Sequence, residues 1–351
     1  MGVSGMAGRV SYDEVYDIRL ADYDEIDDIM AFIDTCWKHG HILGCDRAFF
    51  EYEMVVDGQV DFIIARRRDD RSIDGIYGFL PCSKSADKRD VWGVMWKTRD
   101  SALPLLGMEL KKRLKLLLGL RTDIGVGANK TTSLPLLTFY GYYTTKLKHY
   151  YCLSGRPDYR IAVVKNHREH TYEACADATW TKLTDMEQVR AFLDPDTIDT
   201  ADKRPHKDAW YFKRRFFDHP IYTYEVWGIT GPAGGRALVV TRRQPCNGSA
   251  AIRIVDYEGD QTAFAGCGAF LDMLLREAEY VDFYFAGFDE SCAEAAGMRE
   301  VTEEDGNIIP DYFHPFEPVN ADIYAVGSEK NATYTFFKAD GDQDRPVGRY
   351  D

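Results

Sequence analysis

An imidazole changes charge near neutral pH, so a well-placed histidine can accept a proton from a reacting group. Two histidines stand in suggestive company: His41 in Trp37-Lys38-His39-Gly40-His41-Ile42-Leu43, and His149 in Lys146-Leu147-Lys148-His149-Tyr150-Tyr151. A packing or surface role competes with the chemical one at both. The closing stretch, Phe336-Phe337-Lys338-Ala339-Asp340-Gly341-Asp342-Gln343-Asp344-Arg345-Pro346, alternates carboxylates with a Gly and ends on Arg. It lacks the later Gly and Glu of a calcium loop, so that reading is rejected. Carboxylates and an amide suit the hydroxyls and amino group of a sugar, and Arg suits a carboxylate or phosphate. An Asp–Arg network pinning the last strand to its domain explains the same pattern equally well.

A third constellation is Ile124-Gly125-Val126-Gly127-Ala128-Asn129, followed by Thr131-Thr132-Ser133-Leu134-Pro135-Leu136-Leu137 and Gly141-Tyr142. An apolar strand runs into an Asn, a short helix of small and apolar residues closes on Gly-aromatic, and a further strand follows.

These groups need a framework. At 351 residues and 45% hydrophobic content the chain can bury one or two sizeable cores, and two domains is the expectation. The formal net charge of -14 argues against a general grip on nucleic acid, which needs Lys and Arg gathered on one face. The eight Cys are scattered without a CxxC pair or a companion His spacing, so reduced thiols and no metal are expected. The start lacks a basic region followed by an apolar core, and the apolar run 102–120 is broken by Glu109, Lys111, Lys112, Arg113 and Lys115. A protein of the cytoplasm with no membrane span follows from this reading.

Residues 1–15, polar and Gly-rich, read as disordered. Strands are expected at 17–20, 61–65, 75–80 and 91–97, with apolar residues at helical spacing at Ile26, Ile29, Met30 and Ile33, and a helix at 108–118. The first half then runs β-α-β-β-β-α-β-α-β. The second repeats much of it, with strands at 222–228, 236–241, 250–257 and 281–285, and a helix at 263–278. Two copies of one architecture give domains at 16–158 and 159–351, parted near Gly155–His170.

The order around Asn129 resembles the acyl-CoA half of the GNAT superfamily of N-acyltransferases. The resemblance implies an α/β (α+β) fold of two tandem GNAT-like domains, each a mixed, mostly antiparallel sheet flanked by helices. It implies that the Asn129 side chain helps hold the pantetheine arm. The pyrophosphate loop falls on Ala102-Leu103-Pro104-Leu105-Leu106-Gly107, where only the last Gly of the usual pattern stands, and its N–H groups would face the phosphates. The competing match, Ala263-Phe264-Ala265-Gly266-Cys267-Gly268, has no Asn after the next strand, so CoA is assigned to the first domain through Leu105, Leu106, Gly107 and Asn129. Backbone groups at Trp96, Lys97 and Thr98, at the splayed end of the fourth strand, would polarise the thioester carbonyl. Leu137 occupies the place where many GNAT enzymes carry an acid Tyr.

Taken along its length from Asp17 to Pro346, the chain resembles tandem-GNAT sugar N-acyltransferases of surface polysaccharide assembly. The resemblance rests on Trp37-Lys38 with His41-Ile42, Trp96-Lys97, Gly127-Ala128-Asn129, Lys146 to Tyr151, His219-Pro220, Val255-Asp256, Glu279 to Asp282, Ile309-Pro310 with Tyr312-Phe313, and Asp340 to Pro346. It implies direct transfer of an acetyl or short hydroxyacyl group from CoA to the amine of a nucleotide-linked sugar such as a dTDP-3-amino-3,6-dideoxyhexose, without metal or covalent intermediate. His41, His149 and Asp342 are the catalytic candidates. Trp37, Asp256, Tyr312, Phe313, Asp340, Gln343 and Arg345 are the substrate-binding ones, and a homodimer is compatible. Other readings are a Fem-type aminoacyl transferase acting on a peptidoglycan precursor, and a non-catalytic GNAT-fold binding protein.

Overall fold

The computed structural model describes residues 11–198 and 202–348. Of the stretch 1–15 expected to be disordered, 1–10 lies outside the described residues. The remainder corrects that expectation: Tyr12–Val15 forms a helical turn because Ser11 and Glu14 close a reciprocal capping box. The described residues divide into two compact units, 11–80, 93–120 and 347–348 in one, and 81–92, 121–198 and 202–346 in the other.

In the first unit β1 (Tyr16–Leu20), β2 (Phe62–Arg67) and β3 (Ile73–Pro81) pair antiparallel, and β4 (Asp90–Thr98) follows β3 in the sheet. Helix α1 (Ile26–Phe32) buries Ile26, Ile29, Met30 and Phe32, the face its spacing predicts. Helix α2 (Ile42–Cys45) and helix α3 (Arg47–Met54) precede β2. Helix α4 (Leu106–Leu118) buries Leu106, Leu110 and Leu114, four residues apart, and stops at Gly119 with φ +59°. The loop before α4 is anchored by Tyr16, whose hydroxyl accepts from Leu103 N (3.1 Å) and donates to Asp74 (3.0 Å).

In the second unit the start of β4 pairs parallel with β5 (Thr122–Val126), from Asp90–Thr122 to Trp92–Ile124, and the ladder ends there. Helix α5 (Ser133–Phe139) leads to β6 (Tyr143–Lys146) and β7 (Lys148–Leu153). A late strand, β14 (Tyr324–Gly327), inserts antiparallel between β5 and β6. A second sheet runs in the order β8 (Thr179–Leu183), β9 (Tyr224–Thr230), β10 (Arg236–Cys246), β11 (Ser249–Gly259), β12 (Tyr280–Ala286), β7, β13 (Arg299–Glu300). Only β11 and β12 in that run pair parallel, joined through helix α6 (Gly268–Leu275). Their core is aromatic, built on Tyr257, Phe264, Phe283, Phe285, Phe288 and Phe337.

Beyond Ile254–Phe283 the β11–β12 ladder opens, and the chain's own late segment fills the space. The strand β15 (Phe336–Phe337) pairs with Phe285 and Ala286 of β12, while Ala339 N donates to Val255 O of β11 at 2.7 Å. Mixed sheets with flanking helices therefore recur, as the sequence predicts. The cysteines are all free, and no helix among the described residues is long and apolar enough to cross a membrane.

Candidate functional site

The α4 entrance in the first unit has a physical reason for its single glycine. A Cβ on Gly107 would lie 2.2 Å from Trp96 Nε1, so Gly107 is small to admit the indole. Trp96 also packs edge-on to Tyr77, and the Lys111 ammonium donates to the Tyr77 hydroxyl at 2.8 Å. Leu105 is exposed at φ +62°, a left-handed conformation for a non-glycine residue, whereas Leu106 is buried. Lys97 and Thr98 are half-buried at the end of β4, and the Thr98 methyl would crowd a Cβ on Gly75 at 3.2 Å. Thus the first unit brings Trp96 and Gly107 together by packing.

Also in that unit, Trp37 is 41% exposed and its ring meets His41 edge-on at 4.6 Å. The sequence offered His41 as a base, but it caps α2: its Nδ1 accepts from Leu43 N at 3.2 Å. A lone pair spent on a backbone donor is not on offer to an amine. That correction follows from the helix start, where orphan N–H groups seek acceptors.

The second unit concentrates most of the other candidates. Asn129 is exposed, and its Oδ1 accepts from Thr131 N (2.9 Å), Thr131 Oγ1 (2.9 Å) and Thr132 N (3.1 Å). The amide oxygen thus fixes the turn into α5, while its Nδ2 donates to no described residue. Against this turn lies the closing motif. The Gln343 carboxamide sits over Gly127, and Gly341 lies near the Val126 backbone, where its Cβ would be 3.7 Å from the nitrogen. Asp342 accepts from Gln343 Nε2 at 3.2 Å and stands 3.8 Å from Arg345, which is buried. Leu137 is buried, so no side-chain acid stands at that place.

Asp256 and Asp340 meet on one lysine. Lys207 Nζ lies 2.6 Å from Asp256 and 2.7 Å from Asp340, and all three side chains are fully buried. Glu258, 3.8 Å away, and Lys203 beyond it complete the cluster. Burial pushes the Asp340 carboxyl up to about 7, against the opposing pull of Lys207. This corrects the expectation that Asp256 and Asp340 touch substrate: groups without solvent access hold the closing motif on β11. Tyr312 is 48% exposed and Phe313 is buried beneath the Arg253 guanidinium, 5.3 Å from the ring centre.

His149 on β7 has a different environment. Its Nε2 faces Asp282 Oδ2 at 3.3 Å, and its ring stacks on Tyr284 with centroids 3.8 Å apart. Asp282 in turn accepts from Arg253 at 2.8 Å, Arg253 reaches Asp311 at 2.6 Å, and Lys338 reaches Asp311 at 2.5 Å. Burial would raise the Asp311 carboxyl, but Lys338 and Arg253 override it and hold it well below the usual range. Burial keeps the His149 imidazole below its ordinary value despite Asp282 and Asp311, so the neutral form prevails near pH 7. His149 also lines a cavity of about 390 Å³ with Lys146, Lys148, Glu300, Glu303 and Asp322.

A parallel network, Arg242 with Asp344 at 2.6 Å and Tyr224 with Asp344 at 2.8 Å, anchors the end of the motif. Sequence reasoning missed Lys207, Arg242, Arg253, Asp311 and Lys338 as a group. The available signal was a charge inside an apolar strand, as in Ile252-Arg253-Ile254-Val255-Asp256 and Tyr280-Val281-Asp282-Phe283. Such charges must be paired when buried.

Many solved structures resemble the chain, two of them with TM-scores of 0.53 and 0.52. One is a GCN5-related N-acetyltransferase from Anabaena variabilis, with TM-score 0.53 and 10% identity over 89% of this chain and 72% of that one. The other is a conserved protein of unknown function from Enterococcus faecalis described as a probable N-acyltransferase, with TM-score 0.52 and 12% identity over 89% and 71%. The likeness is one of fold, mixed sheets flanked by helices. No protein-family model matches the chain, and no curated protein does.

Proposed function

We propose that the chain is a GNAT-type N-acyltransferase that moves an acyl group from acyl-CoA to the primary amine of a nucleotide-linked amino sugar by direct attack. The observation carrying this reading is the Asn129 turn, which keeps Nδ2 without a partner among the described residues while the closing motif packs beside it through Gln343. The corresponding opening in the later crossover, between β11 and β12, is occupied by Phe336 to Ala339, which bond to Phe285, Ala286 and Val255. The carrier is therefore assigned to the earlier β-α-β passage, at the Asn129 turn.

The chemistry requires an unprotonated amine, a polarised thioester carbonyl and routes for two protons. No side chain needs to act as nucleophile. Buried Leu137 cannot protonate the departing thiolate, which leaves the proton of the attacking nitrogen for that task. The same Leu137 favours a second reading, a GNAT-fold protein that binds without turning over.

Isothermal titration with acetyl-CoA, joined to an assay of free thiol with a nucleotide-linked 3-amino-3,6-dideoxyhexose, tests the assignment. Binding and thiol release in the parent, with at least tenfold weaker binding in Asn129→Ala, supports it. Binding without thiol release in the presence of such sugars favours the non-catalytic reading. No binding at high micromolar acetyl-CoA removes both.

A further inference from the structure

We infer that the cavity lined by His149, Glu300, Glu303 and Asp322 receives the acceptor as a cationic primary amine, and that His149 Nδ1 takes its proton. This rests on the acyltransfer reading above and adds the acceptor's place and the base.

The tautomer follows from geometry. Asp282 can only accept, so the Nε2 facing it carries the hydrogen and Nδ1 keeps the lone pair. His149 is 7% exposed, and its Nδ1 has no hydrogen-bond partner among the described residues. A buried imidazole nitrogen left without a partner is costly unless a ligand completes it. Arg253 and Lys338 on one side and Asp282 and Asp311 on the other balance in charge, so nothing forces the imidazole to be cationic at rest.

The cavity wall has the charge an ammonium needs. Lys146 is taken by Asp322 at 2.5 Å and Lys148 by Glu290 at 2.5 Å, with Glu300 3.7 Å from Lys148. Glu303 is exposed and has no cationic partner among the described residues. The volume lies within the range of small-ligand pockets. The wall is also continuous with the Asn129 turn: Lys130 Nζ lies 4.0 Å from Asp322 and over the Tyr324 ring, and Tyr324 O accepts from Gly127 N and Ala128 N.

The ammonium gives one proton to Nδ1, and its nitrogen lone pair forms the C–N bond as the C–S bond breaks. The remaining acidic N–H proton leaves with sulfur as CoA thiol, and the imidazolium returns its proton to water. Asp282 is a positioning residue that acts through the imidazole.

His149→Gln keeps an amide donor for Asp282 and loses the base. Free CoA release from acetyl-CoA and a nucleotide-linked 3-amino-3,6-dideoxyhexose, followed from about pH 5 to about pH 9, is expected to show kcat lowered by about 10²–10⁴-fold and the acid limb removed, with KM for acetyl-CoA unchanged. Glu303→Gln is expected to raise KM for the amine several-fold while kcat holds. A folded His149→Gln that retains kcat and the acid limb overturns the proposal while leaving the acyltransfer reading standing. If the parent releases no CoA, that reading fails and the cavity is tested by NMR. The His149 ring signal in ¹³C-histidine protein, assigned by its absence in His149→Gln, is expected to move with millimolar amino sugar and less with the 3-hydroxy analogue. A signal that stays put overturns the cavity as the amine site.

Discussion

The carboxamide of Gln343 occupies the space that a side chain on Gly127 would need: a Cβ there would lie 1.9 Å from Gln343 Nε2. Gly127 also has φ +89°, a conformation L side chains rarely adopt, and its N–H donates to Tyr324 O at 2.8 Å. Two segments more than two hundred residues apart in sequence thus define one another's shape. The exit of β5 is cut back to backbone so that the closing motif can lie on it.

Gly127→Ala should therefore lose about 1–2 kcal/mol from the left-handed backbone and about 1–3 kcal/mol from overpacking. Adding Gln343→Ala removes the second part and leaves the first. Urea unfolding of both single variants and the double variant measures this, and strictly additive losses would deny the contact.

The Lys207 cluster predicts a pH dependence. Three carboxylates, Asp256, Asp340 and Glu258, surround one buried ammonium, so a proton is retained among them, and Asp340 titrates at about 7 in the folded chain against 3.8 ordinarily. A carboxyl with a raised folded value binds its proton more tightly when folded. Its contribution is complete below about pH 4 and fades as the pH climbs through about 7, by at most about 1.4 kcal/mol per pH unit. Urea midpoints between those limits should fall less steeply with pH in Asp340→Asn than in the parent. Equal slopes would mean that Asp340 is ionised throughout. Lys207→Met, which strands the carboxylates, should cost about 3–5 kcal/mol near neutral pH.

Periodicity made much of this fold legible. The 3.6-residue spacing of Leu106, Leu110 and Leu114 and the apolar strands at Ile252–Val255 and Val281–Phe285 state their own geometry, because local burial dictates local pattern. The late insertion of Tyr324–Gly327 between β5 and β6 was not legible, since pairing across some two hundred residues leaves no local trace. The candidate site divides along the same line. Asn129 and His149 can be singled out by residue type and neighbours alone. Whether Asp256 and Asp340 face a ligand or a lysine depends on Lys207, whose location only the tertiary fold supplies.

Gly107 yields a prediction in the first unit. Gly107→Ala places a methyl 2.2 Å from Trp96 Nε1, so the indole must move or the helix must shift. A loss of about 1–3 kcal/mol and a change in tryptophan emission are expected, read together in one fluorescence-monitored denaturation. An unchanged emission spectrum with full stability would show that the two residues do not touch.

The filled opening between β11 and β12 sets a final prediction, because it bears on which passage carries the thioester. Phe337 is 1% exposed and stacks on Phe283 with centroids 5.7 Å apart, while Ala339 closes the backbone onto Val255. Phe337→Ala should cost about 3–5 kcal/mol, the lost transfer energy plus the cavity it leaves. Because the acyl carrier is assigned elsewhere, the folded variant should bind acetyl-CoA with the parent's affinity. Calorimetric titration at a temperature where the variant remains folded decides this. An affinity altered by tenfold or more would move the carrier to the later opening, since a side chain there could act so strongly only by lining its path.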